Sequence, residues 1–336
     1  MPVMNMDLLL QRHALNLMNL PNVVGVGKGI KTVRGEDTGR TAVVVLVEKK
    51  LPERELARKQ RVPKLLGEIP TDVLEVGEIR LLNRKGYQRP AYPGMSIGHY
   101  KISAGTLGAL VKDRRTGQPL ILSNNHVVAN ATDGYDGNAR IGDPVLQPGA
   151  HDGGTMDQIV GYLERYIPLR REFTLASCRT ARAFEKIANQ MLRLTGRDYH
   201  IALQKGVPYE NLVDAALVRP ISMAAVGAEI MEVGKIKGIA EAQAGMRVKK
   251  SGRTTGLTSG TVQVMQATLR VTISGNQRGM FTDQFVTTGM SRGGDSGSLV
   301  LDMNNNAVGL LFAGSNTNTV CNRIQHVMDM LQVDLF

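Results

Sequence analysis

Two cysteines, Cys178 and Cys321, are all that 336 residues provide, too few for a disulfide framework. A secreted enzyme of this size usually carries several bridges, so the shortage points to a reducing compartment, with both thiols read as small buried side chains. Tryptophan is absent, and no RGG-like or zinc-knuckle pattern occurs. The best apolar run, Val43–Val47, is strand-sized and far short of a membrane span. The first 20 residues lack a basic leader region and a small-residue cleavage site, and Gln11, Arg12 and His13 interrupt their apolar run. The expectation is a cytoplasmic protein with no membrane contact. Without H-E-x-x-H or paired Cys-x-x-Cys, no metal is expected, and nothing implies a cofactor.

What the chain does have is glycine, 37 residues, and an apolar content of 42%, enough for a sizeable core. Short strand-like segments among many glycines favour a mainly β body, and the length allows one large or two ordinary domains. The formal net charge of +11 suits nucleic acid or an acidic partner. The basic residues are spread along the chain, however, and a basic, soluble surface is the preferred reading; nucleic-acid association stays open.

Residues 5–19 read as an amphipathic helix with Leu8, Leu15 and Met18 among its apolar positions, ended by Pro21. The glycines of VVGVGKGIK (23–31) do not have dinucleotide-fingerprint spacing and read as a strand leading to a hairpin at 34–37. Strands follow at 41–47 and 71–78, with a short helix over 51–59. Residues 1–90 thus form a small α/β domain, and the proline-rich 88–94 reads as a linker. From 91 to 336 short strands dominate: 106–111, 120–123, 144–146, 158–162, 226–230, 247–250, 260–266, 269–273, 284–287 and 307–313. A helical insertion at about 163–211 breaks this rhythm. Leu175, Cys178, Ala181, Phe184, Ile187, Met191 and Leu194 recur every three or four residues. Thr174 suits the N-cap and Gly196 the position just past the end. Its apolar face must bury against the barrel, the N-terminal domain or another subunit. A terminal helix, 321–335, turns Ile324, Val327, Met328 and Leu331 to one side.

The chemistry gathers in GGDSGSLV (293–300). A serine hydroxyl is a weak nucleophile without a base beside it and donors for the oxyanion. Gly294 permits a sharp turn, so that its N–H and that of Ser296 can face one point, and Asp295 can brace the loop from behind. Upstream, His126 in LSNNHVVAN follows an apolar strand, and Asp214 in NLVDAALV precedes one. Asp143, Asp157 and Asp198 also lie between His126 and Ser296. Asp214 is preferred because it stands at the mouth of an apolar strand.

His126, Asp214 and Ser296, in that order and with these flanks, resemble the trypsin-like serine peptidases of the chymotrypsin fold. KSGRTTGLTSGTV (250–262) looks like a segment of their bacterial secreted members, whose neighbouring cysteines are here Lys249 and Ser259. The ordered set PNVVGVGKG, TAVVVLVEKKL, PTDVLEVGE, AGTLGALV, ILSNNHVVA, VDAALV, SGRTTG, GDSGSLV and VGLLFAGS is similar to the plant Narrow Leaf proteins and their bacterial relatives. It covers most of the chain outside 163–211.

The resemblance implies two six-stranded β-barrels after the small α/β domain, and a serine endopeptidase acting on a protein or peptide through an acyl-enzyme. His126 is base and then acid, Asp214 orients the imidazole, Ser296 attacks, and the N–H groups of Gly294 and Ser296 hold the oxyanion. The primary pocket would have Met290 at its base, six residues before the nucleophile, and Phe312, Ala313 and Gly314 along its wall. An apolar floor predicts cleavage after Ala, Val, Leu or Met, since a cation there loses hydration without gaining a partner. The same resemblance and the inserted helix lead to the expectation of a homo-oligomer. The rival readings are a catalytically silent scaffold or peptide-binding module, and a nucleic-acid-associated protein.

Overall fold

A helix and four strands open the chain: α1 (Met6–Met18), β1 (Val23–Val33), β2 (Glu36–Val47), β3 (Leu65–Leu66) and β4 (Ile69–Glu75). The computed structural model describes residues 6–33, 36–77, 83–101, 103–176, 178–196, 199–206, 210–275 and 277–336. Arg34, Gly35 and Glu78 of the expected hairpin and strand lie outside these. The sheet order is β1-β2-β4-β3, with β1 antiparallel and β4 parallel to β2. Val43, Val45 and Val47 alternate onto one face and meet Leu9 and Leu17 of α1. Leu8, Leu15 and Met18 are exposed instead. Three consecutive leucines at 8–10 fit either face, and the register of the sheet selects Leu9. No α-helix forms over 51–59; two 3₁₀ turns, Glu53–Glu55 and Arg58–Gln60, bury nothing, because charged residues there leave no apolar stripe to dock.

Chain contacts divide the molecule into Met1–Leu82 and Asn83–Phe336. The segment expected as a linker, 88–94, lies inside the second unit. Ala91 is fully buried and bridges Val226, and the Arg89 guanidinium donates to the carbonyls of Gln158 and Ile159. A Cβ on Gly94 would meet the Ser251 hydroxyl and the Arg84 guanidinium.

Two β sheets make up this unit. The first uses β5 (Ser96–His99), β6 (Gly105–Thr106), β7 (Ala109–Asp113), β8 (Pro119–Ser123), β9 (Pro144–Leu146) and β10 (Ile159–Tyr166). After the insertion, which holds β11 (Phe173–Leu175) and β12 (Gln204–Gly206), come the short β13 (Glu210–Asn211) and then β14 (Ala216–Pro220). β6 and β7 act as one bent strand, paired to β5 at its start and β8 at its end, and β8, β14, β10, β9 and β5 complete the circuit. The second sheet is a closed ring of six. β16 (Arg247–Gly252), β17 (Gly256–Ser274), β18 (Gln277–Thr288), β21 (Asn318–Arg323), β20 (Asn306–Gly314) and β19 (Leu299–Asp302) pair in succession, and β19 returns to β16. The short β15 (Gly238–Ile239) and β13 add at its edges. The architecture is mainly β, with two β-rich sheets of the chymotrypsin-like type. Residues 226–230 form isolated bridges instead of a strand, and the stretches expected at 260–266 and 269–273 are one bulged strand.

The terminal helix α4 (Ile324–Leu331) is shorter than expected, since β21 and β22 (Val333–Leu335) take its ends. Ile324, Val327, Met328 and Leu331 are all buried, as the periodicity predicts. They join Leu122, Leu217, Leu299 and Leu310 in one cluster fed by both sheets, and β22 pairs with β7 of the first. Leu331→Ala should therefore destabilise the second unit by about 2–5 kcal/mol, read as a lower midpoint in thermal unfolding, with no change in secondary structure at 20 °C or so.

Candidate active site

His126 stands on α2 (Asn125–Val128), a single helical turn directly after β8. Its Nδ1 lies 2.5 Å from Asp214 Oδ2, and its backbone N–H donates to Asp214 Oδ1 at 3.2 Å. Asp214 is almost fully buried just before β14, where its carbonyl accepts from Asn124 Nδ2 (2.7 Å) and its N–H donates to Asn322 Oδ1 (3.0 Å). Asn322 Nδ2 in turn donates to Gln284 Oε1 at 2.7 Å. Asn124, Gln284 and Asn322 escaped the reading of the sequence. The amides of Gln284 and Asn322 sit on strands of the other sheet, and no local spacing links them to Asp214. Burial alone would lower the His126 pKa; the Asp214 charge and hydrogen bond outweigh it, and the net shift is upward.

The other candidate acids are placed elsewhere. Asp143 pairs with His99 Nε2 at 3.1 Å, Asp157 bonds the Thr155 hydroxyl, and Asp198 lies outside the described residues.

Ser296 is half-buried, and its hydroxyl donates to the carbonyl of Phe312 at 3.2 Å. Among the described residues no hydrogen bond joins it to His126. Phe312 and the residues after it line a cavity of about 440 Å³ that His126 and Asp214 also line. Gly294 has φ +95° and Gly297 φ +94°, a region that favours glycine. A Cβ on Gly294 would meet the Arg253 guanidinium and the Thr254 hydroxyl. The N–H groups of Gly294 and Ser296 carry no hydrogen bond among the described residues, which leaves two donors unspent.

Asp295 is fully buried behind this turn. Its carboxylate accepts from the N–H groups of Thr254, Thr255 and Arg292 at 2.9–3.1 Å and from Thr255 Oγ1 at 2.6 Å. Lys250 Nζ lies 3.4 Å away, also fully buried, and bonds Thr255 Oγ1 and the Gly256 carbonyl. Burial would raise the Asp295 pKa; the Lys250 charge and the hydrogen bonds from Thr255 and Arg292 outweigh it and bring it below the usual carboxylate range. Burial lowers that of Lys250, opposed by Asp295. The SGRTTG segment is thus clamped to the serine turn. Thr106 adds a tie from the first sheet: its N–H donates to the Ser296 carbonyl and its hydroxyl to that of Gly294.

Phe312, Ala313 and Gly314 line the cavity beside His126. Met290 packs into an apolar cluster of the second sheet with Val262, Phe285 and Leu311, and is 4% exposed. β17 from Leu269 to Ile273 also lines the cavity, as does Phe281, whose ring lies 4.7 Å from that of Phe312, a contribution of the long hairpin that the sequence did not suggest. A second cavity, about 300 Å³, adjoins His126 and is lined by Asn130, Asn138, Arg171 and Gln277. Arg171 is buried there, paired with Asp133 and Asp136 at 3.3 and 3.0 Å. No cluster of His, Cys, Asp or Glu suited to a metal ion occurs among the described residues.

No protein-family model matches the chain, and no curated protein sequence matches it. Among solved structures it is similar to Thermobifida fusca protease A, at 19% identity and a TM-score of 0.46. It is also similar to a Nocardiopsis protease, at 18% and 0.46, and to Cellulomonas bogoriensis chymotrypsin, at 16% and 0.44. Each comparison covers 73% of this chain and 97% of the other.

Lys250→Met leaves the Asp295 carboxylate buried beside an apolar side chain. Breaking a buried pair from one side costs about 3–5 kcal/mol, so denaturant unfolding should show a loss of that size. Lys250→Met combined with Asp295→Asn should recover part of it, because the charge left stranded is then gone.

Proposed function

We propose that the chain is a serine endopeptidase, a trypsin-like enzyme of the group that includes the plant Narrow Leaf proteins and their bacterial relatives. The observation that carries this reading is the His126–Asp214 pair at 2.5 Å, lining a cavity that Phe312, whose carbonyl holds the Ser296 hydroxyl, also lines. In this mechanism, substrate binding turns the Ser296 hydroxyl from Phe312 to the His126 imidazole. His126 takes the proton as Ser296 attacks the scissile carbonyl, then gives it to the leaving amine. Asp214 fixes the tautomer and stabilises the imidazolium. The unspent N–H groups of Gly294 and Ser296 receive the oxyanion. Water then hydrolyses the acyl-enzyme by the same route in reverse. The cavity walls are largely apolar, and burying an apolar side chain there gains roughly 1.5–3 kcal/mol. The favoured substrates are peptides with Ala, Val, Leu or Met before the cleaved bond, and the place of action is the cytoplasm.

The resting hydrogen bond from Ser296 to Phe312 also fits a silent peptide-binding module, and a covalent probe separates the two. A fluorophosphonate should label the native protein on Ser296, and Ser296→Ala should abolish both labelling and peptide cleavage while leaving the fold intact. A library profile of the wild type should show the apolar preference. Absence of label on native protein supports the silent module, and label on Ser298 moves the nucleophile.

The raised pKa of His126 fixes the acid limb. The base works only as neutral imidazole, so kcat/KM should rise with pH through a value above the ordinary 6.5 or so. Asp214→Asn removes the charge that holds this value up and leaves burial, which lowers it. The limb should then move to lower pH while kcat falls by about 10⁴. A pH–rate profile of both proteins checks the direction.

A further inference from the structure

The insertion expected at about 163–211 reaches the site through a loop and not through its helix. Helix α3 (Arg179–Leu194) has no fully buried residue, and Phe184, Ile187, Met191 and Leu194 along one stripe are all more than half exposed. Cys178, just ahead of it, is exposed as well, against the expectation of a buried thiol. Arg171, by contrast, is 6% exposed and lines the smaller of the two cavities beside His126. Its Nη1 lies 3.3 Å from Asp133 Oδ2 and donates to Asp136 Oδ2 at 3.0 Å, and its Nη2 donates to the Ala131 carbonyl at 2.8 Å. Asp133 and Asp136 are themselves held, Asp133 by the N–H groups of Tyr135 and Asp136 and Asp136 by the Thr132 hydroxyl, all at 2.7–2.8 Å. Arg171 Nε is buried, and among the described residues nothing accepts its N–H. A buried donor left without an acceptor is costly.

Given the endopeptidase reading, on which this rests, we propose that the smaller cavity is a specificity subsite for an uncharged amide, the side chain of a Gln or Asn in the peptide substrate. His126 and Ile273 line both cavities, so a peptide with one side chain in the larger cavity brings a neighbouring residue to the smaller. The rest of the polar lining is amide. Asn130 and Asn138 spend their NH₂ groups on the Asn138 carbonyl and on Asp136, at 3.1 and 2.9 Å. Their Oδ1 atoms receive no hydrogen bond among the described residues. Gln277, exposed at the start of β18, completes the rim with an amide that bonds nothing among those residues. A primary amide offers one acceptor oxygen and two donors. The oxygen meets the guanidinium of Arg171, and the NH₂ group meets the oxygens of Asn130 and Asn138. Charges cancel across this wall: Arg171 and Lys101, whose Nζ donates to the Asn138 carbonyl at 2.9 Å, stand against Asp133 and Asp136. An ion of either sign would therefore lose its hydration without gaining a counter-charge. An apolar side chain would cover the polar groups without bonding them.

Binding tests this without turnover. In full-length Ser296→Ala protein, fluorescence anisotropy compares peptides that share one Leu for the larger cavity and carry Gln, Glu, Met or Lys at each neighbouring position in turn. At one of these positions the Gln peptide should bind at least about 10-fold more tightly than its near-isosteres with Glu and Met. Arg171→Met should remove the preference. Because Arg171 also ties the loop at 131–138, Gln277→Leu, at an exposed position, is the second variant. It should reduce the preference by about 3-fold or more and keep the circular dichroism spectrum of the parent. Equal affinities for the Gln, Glu and Met peptides, or no measurable binding of any of them, overturn the inference, as does a preference for Glu or Lys. An intact Gln preference in both variants also overturns it. A Gln preference in binding without fluorophosphonate labelling of the wild type upholds the subsite and overturns the endopeptidase reading; labelling without the preference does the reverse.

Discussion

The docking of the two sheets through one apolar cluster is the constraint on which the rest of the second unit depends. Leu122 precedes the His126 turn by four residues, Val213 and Ala215 bracket Asp214, and Leu299 follows Ser296 by three; all four side-chain positions share that cluster with α4. Packing in such a core has the density of an organic crystal, so a shift in one strand is felt by the others. The polar groups ride on this frame. The hydrogen bond that Asn124 donates to the Asp214 carbonyl and the one that the Asp214 N–H donates to Asn322 fix that backbone only because the elements carrying them cannot slide.

Behind the serine turn, the buried Lys250–Asp295 pair gives positional definition at an energetic cost. Two charges out of water rarely add net stability over apolar groups of equal size. Four hydrogen bonds from residues 254, 255 and 292 converge on Asp295, and their directions specify a single loop path. That path keeps Gly294 at positive φ and two N–H groups unbonded, a conformation that an apolar core would not select by itself.

The sequence made legible whatever depends on local chemistry. Glycines at 294 and 297, a histidine after an apolar strand and an aspartate before one are read without a partner in view, and so is the face of α4. Features that need long-range register stayed hidden. Leu8 and Leu9 are indistinguishable until a sheet chooses between them. Met290 was expected at a pocket floor from its distance to Ser296 along the chain; it packs with Val262, Phe285 and Leu311, and the part that β17 plays in lining the cavity beside His126 had no local signal. Asn322 lies 108 residues from Asp214, beyond any spacing rule. The stripe of α3 was legible as a pattern, but its exposure was not, since a periodicity says which side is apolar and not what covers it.

The pairing of β22 with β7 has a consequence for biosynthesis. The strand Val333–Leu335 closes against residues 111–113, so the first sheet emerges long before its last edge does. During translation that edge stays open, and the cluster it borders lacks α4. A nascent chain therefore holds His126 and Asp214 early, without the serine turn or the packing that aligns them. His126, Asp214 and Ser296 share one frame only once the serine turn, α4 and β22 have followed the first sheet out of the ribosome.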